Sequence, residues 1–408
     1  MSFLIAIGGL ALLVLIHEAG HFIVARAVGM RPRKFYIFFP PALVKTTRGG
    51  IEYGIGSIPL GGYVKIPGMH RPAAGDVDAQ FGRALDESPW LARHTAEVKD
   101  ALEREDLEAA KAAMPELEAA LERAQLSEAA QRSAEKGLTD LEDALSADAY
   151  WRAPASKRVA VIFAGPFANF VFCIVLLAVV YMLGVPAGVT RTVDRVTDAS
   201  PAVAAGLQAG DVIVAVDGAP MKNFEDVRDG IGDSKGDPVA LTVRRDGELV
   251  ELQPVEPELI DGRYRIGFIP APFYQDYSAG PAIAKAFEQT GDVTVAIGQS
   301  LGGIVTGSTR DDVSSAVGIV EQSAQVVEAG LRYYLGVLAL ISLSLALLNL
   351  LPLLPLDGGH IAFSIAEKIR GRAIPRVAYE RASVIGIALV LLLFFIGLSN
   401  DINRLRGG

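Results

Sequence analysis

The chain has 408 residues, 51% of them hydrophobic, and a formal net charge of −9. That length would suffice for two or three soluble domains, but the apolar residues gather into long runs almost free of charge, which excludes an ordinary soluble assembly. The one cysteine, Cys173, excludes an internal disulfide and, lying in an apolar run, reads as a packing residue.

Residues 1–28 read as a first transmembrane helix. They have no basic leader and no small-residue cleavage site, so a cleaved signal peptide is the poorer reading. Within the run, His17-Glu18-Ala19-Gly20-His21 forms an H-E-x-x-H motif. Residues i and i+4 of a helix share a face, so both imidazoles can reach one ion. Zinc accepts neutral imidazole nitrogens, and its catalytic sites keep one position open for water. Glu18 can take a proton from that water as it attacks a carbonyl. Three ionisable residues in one turn of a span are costly in lipid, and a metal ion offsets that cost.

Residues 29–78 follow as a membrane-associated β-hairpin region, because 48–66 (RGGIEYGIGSIPLGGYVKI) alternates apolar and small residues between glycines. Residues 79–150 are a charged helical insert with seventeen acidic against eight basic residues, a balance equal to that of the whole chain. Pro115 reads as the break between a pair of helices, with solvated or partner-binding faces. A second transmembrane helix at 151–184 leads into short β-rich runs with turn signals, an α+β module at 185–273. An amphipathic connector at 274–330 precedes the third span.

The third transmembrane helix, 331–358, ends in the run from Asn349 to Gly358, which holds Pro352 and Pro355. Its apolar part runs from about Leu335 to Leu356, and its only carboxylate, Asp357, stands where the prolines interrupt the helix. Irregular backbone at membrane depth is tolerated where it lines a cavity, so Asp357 is a candidate third metal ligand. His360, three residues on, competes for that role. A loop at 359–383 and a fourth transmembrane helix with its tail at 384–408 complete the chain. The fourth apolar run, about Val384 to Leu398, spans only with tilt, bilayer thinning or a start near Ala378. Basic residues gather after the first span (Arg26, Arg31, Arg33, Lys34), before the second (Lys157, Arg158) and between the last two (Lys368 to Arg381). Residues 29–158 and 358–383 are therefore expected in the cytoplasm and 185–330 outside, although Arg404 and Arg406 oppose this.

These motifs together resemble the site-2 protease family of intramembrane zinc metalloproteases. HEAGH in the first span and N-x-x-P…L-D-G-G from Asn349 to Gly359 are similar to that family's paired motifs. Ala164-Gly165-Pro166-Phe167-Ala168-Asn169 is similar to its A-G-P-x-x-N element, and Gly61-Gly62-Tyr63-Val64-Lys65 to the G-G-Y-V-K of its membrane-embedded hairpin. Ser200-Pro201-Ala202 with Ala205-Gly206-Leu207 and Gly210-Asp211 resembles the PDZ domain of bacterial members. The chain departs from the pattern in placing its second proline at Pro355, in writing Ser315-Ala316-Val317-Gly318-Ile319 for G-P-V-G-I, and in carrying the 79–150 insert.

The resemblance implies a multi-pass α-helical membrane protein of about four transmembrane helices, with a membrane-associated β-hairpin or sheet and an inserted α+β PDZ-like domain. It implies zinc (Zn2+) held by His17, His21 and Asp357, with Glu18 as general base. Asn349 would position substrate or stabilise the oxyanion, and Gly61, Gly62 and Tyr63 would lie on the strand that pairs with unwound substrate. The implied partners are single-span membrane proteins in the lipid bilayer, cut during regulated intramembrane proteolysis; examples are anti-sigma factors and remnant signal peptides. No nucleic acid is expected. The implied location is the inner (plasma) membrane, with the zinc motif near the cytoplasmic side and the PDZ-like domain outside. The alternatives are an inactive PDZ-containing scaffold or chaperone, a soluble zinc protease tethered by helices, and a metal transporter.

Overall fold

The computed structural model describes residues 1–306, 316–374 and 376–406, and the chain divides into two units, 178–285 and the remainder. The remainder opens with helix α1 (Ser2–Ala27), whose buried residues are Ala6, Gly9, Leu13, His17, His21 and Ala25. That three- and four-residue spacing is one stripe of a helix, so both histidines face inward. Phe3, Leu4, Leu12 and Ile23 leave the other face apolar and exposed, as suits lipid rather than water.

Strands β1 (Lys34–Arg48) and β2 (Ile51–Lys65) form the hairpin, joined by Gly49-Gly50, both at positive φ. The sheet starts well before the alternating run at 48–66. The Phe35–Pro41 stretch reads poorly as strand because of Pro40-Pro41, and the structure accommodates the pair in a register shift between Ile37 and Ala42. Lys34–Ile37 lie between Glu52–Ile55 on one side and Gly62–Lys65 on the other. Gly62–Lys65 thus form an outer strand of this sheet.

The insert is larger than a helix pair. Helices α2 (Ala74–Glu87), α3 (Ala92–Glu103), α4 (Leu107–Arg123) and α5 (Glu128–Leu145) enclose Phe81, Leu91, Val98, Leu117 and Leu141 in a core of their own. Pro115 does not break α4; it sits on the exposed side, where water can serve the carbonyl it leaves unpaired. The breaks fall instead at Ser88 and at the caps Asp106 and Ser127, whose side chains accept from Ala109 and Ala130 N–H groups.

Helix α6 (Ala155–Leu183) runs on through Pro166. The unit at 178–285 holds a six-stranded sheet of β3 (Val185–Val196), β4 (Val212–Val216), β5 (Ala219–Pro220), β6 (Leu241–Arg245), β7 (Glu248–Glu251) and β10 (Phe268–Gln275). The strand order is β10-β3-β4-β6-β7, with β5 on β4. Helices α7 (Pro201–Ala204) and α8 (Phe224–Asp233) cover a core of Ile213, Val227, Leu241, Val243 and Ile266, and β8 (Glu258–Ile260) pairs with β9 (Arg263–Arg265). Buried Asp211 is held by two 2.7 Å bonds from the Arg245 guanidinium.

Helices α9 (Ala279–Thr306) and α10 (Ala316–Ala329) follow; residues 307–315, including Ser315 of the SAVGI element, lie outside the described residues. Helix α11 (Leu331–Asn349) stops at Asn349, earlier than the apolar run, because Pro352 and Pro355 cannot continue it. The expected loop after Asp357 is instead helix α12 (Asp357–Arg370), closed by Gly371 in the left-handed region. Its Gly358-Gly359 start hides the helical signal. Helix α13 (Arg376–Arg406) begins earlier than Val384, so the last apolar helix is not short. Among the described residues four helices are long and apolar enough to cross a membrane: Ser2–Ala27, Ala155–Leu183, Leu331–Asn349 and Val377–Ile402.

Candidate metal centre

The site forms where α1, α6 and the start of α12 meet. A β-carbon at Gly20 would overlap the Ala164 carbonyl, and one at Gly165 would overlap the His21 ring. These two glycines let α1 and α6 approach closely, as small residues do between membrane helices. The His21 Nδ1 proton is donated to the Val161 carbonyl at 2.9 Å, which leaves the Nε2 lone pair free. His17 Nε2 lies 3.2 Å from His21 Nε2.

The third member comes from the irregular segment after α11. β-Carbons at Gly358 and Gly359 would strike the backbone of Leu350, Leu351, Leu353 and Leu354, so only glycine allows the chain to fold back here. That fold places Asp357 Oδ2 3.1 Å from His17 Nε2 and 3.4 Å from His21 Nε2. Oδ2 is buried without a well-formed hydrogen bond to any described residue.

These three atoms suit a zinc ion. Ligands about 2.0–2.1 Å from a tetrahedral ion lie about 3.3–3.4 Å from each other, and two imidazoles with one carboxylate are a hydrolytic donor set that leaves the fourth position open. Three acceptor atoms facing one another at 3.1–3.4 Å otherwise have nothing between them to attract. Among the described residues His17, His21 and Asp357 are the group able to hold a metal, and His360 is not part of it.

Glu18 extends from the same turn toward the hairpin. A β-carbon at Gly62 would overlap the Glu18 side chain, and the backbone of Val64 lies beside its carboxylate. Gly61 packs on the Phe39 ring, and the Tyr63 ring lies 6.3 Å from that of Phe39. Asn349 ends α11, and its amide donates to the Leu345 carbonyl of its own helix at 3.0 Å.

Sequence reasoning assigned no role to Asn169, which is fully buried with its amide 3.4 Å from His17 Nδ1. A metal-binding His17 carries its proton on Nδ1, so the carboxamide must turn its oxygen toward that proton. The same turn satisfies Asn169 Oδ1, which is otherwise buried without a partner among the described residues. Ser342 of α11 donates to the Asn169 carbonyl at 2.9 Å and ties the third span to this support. The only signal in the sequence was the A-G-P-F-A-N element.

Comparison with known proteins agrees with this chemistry. The profile of peptidase family M50 matches residues 5–393. The chain is 31% identical to zinc metalloprotease Rip1 of Mycobacterium tuberculosis, over 88% of this chain and 83% of that protein. It is 29% identical to zinc metalloprotease RasP of Shouchella clausii, over 97% of both chains. A protein of Agrobacterium fabrum is 32% identical over 98% of this chain and 94% of its own. The chain is a zinc metalloendopeptidase and integral membrane protein that belongs to peptidase family M50, the site-2 protease family.

Proposed function

We propose that this protein cuts single-span membrane proteins within the bilayer. The observation that carries the reading is the place of His17, Glu18 and His21 inside an apolar helix of 26 residues. At 1.5 Å per residue His17 stands about 22 Å from the start of α1, within the span and nearer its C-terminal end. In this reading His17, His21 and Asp357 hold zinc, which supplies Lewis acidity for hydrolysis. Glu18 takes the proton of the attacking water and returns it to the leaving amine.

A transmembrane substrate hides its peptide bonds in i→i−4 hydrogen bonds and must be unwound first. The outer strand Gly62–Lys65, with Gly61 before it, offers the opened chain backbone partners by strand addition. Gly62 brings that added strand beside Glu18, and Tyr63 flanks it. Asn349 serves as a positioning or oxyanion group. Residues 185–273 act as a PDZ-like module outside the membrane and filter access, and α1 ends at the cytoplasmic face of the inner membrane. The substrates are stubs left by an earlier cut, such as anti-sigma factors or remnant signal peptides.

The test is cleavage of a tagged single-span reporter by wild type and Glu18→Gln, with zinc measured on both. Cleavage within the span by the wild type, absent from a zinc-loaded Glu18→Gln, supports the reading. Zinc on both proteins with no reporter cut favours a scaffold.

A further inference from the structure

A polar cavity of about 280 Å³ lies between the end of β2 and the helical insert. Its lining includes Tyr63 and Lys65 from the strand, His70 from the following turn, and Asp76, Gln80 and Asp140 from α2 and α5. The insert is fixed against the sheet here by charge. Lys65 Nζ lies 2.8 Å from Asp143 Oδ2, and Arg33 lies 2.9 Å from Asp143 and 3.1 Å from Asp148. These ion pairs join the insert to the sheet beside the cavity.

Alternation along β2 relates this cavity to the catalytic site. Gly62 faces Glu18 and Val64 packs toward α1, while Lys65 points to the insert. Side chains of a strand added to this edge alternate in the same way, so every second one lies on the insert's side. Lys65 is three residues from Gly62, about 10 Å along a strand. A guest side chain reaching the cavity therefore belongs to a residue about three positions from the bond that Glu18 serves.

The lining also states the guest's chemistry. Its carboxylates, Asp76, Asp140 and Asp143, outnumber its one lysine. Asp143 is shared between Arg33 and Lys65, whereas Asp140 has, among the described residues, a single ion-pair contact, 3.4 Å from Lys65. Gln80 Oε1 is buried and accepts no hydrogen bond from the described residues. A cationic donor could satisfy both Asp140 and Gln80. Single-span proteins carry lysine and arginine at the cytoplasmic ends of their spans.

We infer that this cavity is a substrate subsite, walled by the insert, that takes a lysine or arginine side chain from just beyond the cytoplasmic end of the substrate's span. The inference rests on the strand-addition reading above and adds a specificity determinant to it.

Disulfide mapping tests it without relying on turnover. Gln80→Cys and, separately, Tyr63→Cys are placed in full-length Glu18→Gln protein, whose native Cys173 is buried. Each is combined with a reporter carrying one cysteine moved through its juxtamembrane segment. The expected result is cross-linking of Gln80→Cys to one position or to alternate positions on the cytoplasmic flank. Cross-linking of Tyr63→Cys without any of Gln80→Cys overturns the subsite and leaves strand addition standing. Failure of both overturns strand addition and the subsite together.

Active protein gives the chemical half of the test. Replacing the mapped reporter residue, lysine to glutamate, is expected to lower kcat/KM roughly tenfold, and Asp140→Lys to reverse that preference. Equal rates for both reporters overturn the assigned specificity.

Discussion

Gly165 of α6 stands so close to His21 of α1 that a β-carbon at 165 would occupy the space of the imidazole Nε2 and Cε1 atoms. The ring cannot retreat, because its Nδ1 is held by Val161 and the neighbouring Gly20 already touches the Ala164 carbonyl. Gly165→Ala should therefore displace a metal ligand while adding only one methyl group. Zinc per chain after dialysis should fall at least about tenfold, since metal sites tolerate ligand shifts of only a few tenths of an ångström. Gly8→Ala, where no atom of the described residues lies within 4 Å of the new atom, is the matched control and should keep its zinc.

Asn169 stands 3.4 Å from His17 Nδ1 and would act through it on any ion held at this site. Removing the acceptor for the Nδ1 proton frees the ring to rotate and weakens its basicity, an outer-shell loss that costs about 10–100-fold in metal affinity. Asn169→Ala should show that loss in a competitive chelator titration. Asn169→Asp keeps an oxygen facing Nδ1 and should recover most of the affinity, which a purely steric role for the side chain does not predict.

The shared face of His17 and His21 was legible because H-E-x-x-H reports helix geometry directly: two residues four apart share a face wherever the helix lies. Asp357 was legible as a lone carboxylate beside prolines, but not as the first residue of a new helix. Glycines at 358 and 359 lower helix propensity, and the contacts that require them come from Leu350 to Leu354. Asn169 was silent, since an asparagine in a span reads equally as glue between helices. The four helices of the insert are hidden in the sequence for a related reason. Its core uses Ala84, Ala101, Ala110, Ala113 and Ala120 beside a few large residues, so an alanine-rich, charged sequence conceals how much it buries. In β1 the Pro40-Pro41 pair masked a strand that tertiary pairing restores around a register shift.

The attachment of the insert to the sheet should depend on Asp143 more than on any surface pair. Its side chain is 9% exposed and faces Arg33 and Lys65. Asp143→Ala removes the partner that Arg33 and Lys65 share; Arg33 keeps Asp148 and Lys65 keeps Asp140, so the cost should be about 1–3 kcal/mol. Thermal unfolding and limited proteolysis should show the insert released first. The exposed i,i+4 pair of Glu128 and Arg132 is the contrast; Glu128→Ala should change stability by no more than about 0.5 kcal/mol.

The hairpin should carry its own pH signature, set by Glu52. The Tyr36 hydroxyl donates to Glu52 Oε1 at 2.7 Å, and Lys34 and Lys45 each stand 3.1 Å from the carboxylate. That hydrogen bond first, and then the two lysines, hold the Glu52 carboxyl down to about 2. The folded value lies below the unfolded one, so the contribution is complete above the ordinary carboxylate range. It is lost as pH falls from about 4.5 toward about 2. Burial, reinforced by the bond to Glu52, pushes the Tyr36 phenol up to about 12. Its contribution is complete below pH 10 and is lost only as pH rises toward 12. Glu52→Gln should consequently lower Tm at pH 7, and the gap between variant and wild type should narrow at pH 3. A gap of the same size at both pH values would mean that Glu52 stabilises the hairpin by packing rather than by charge.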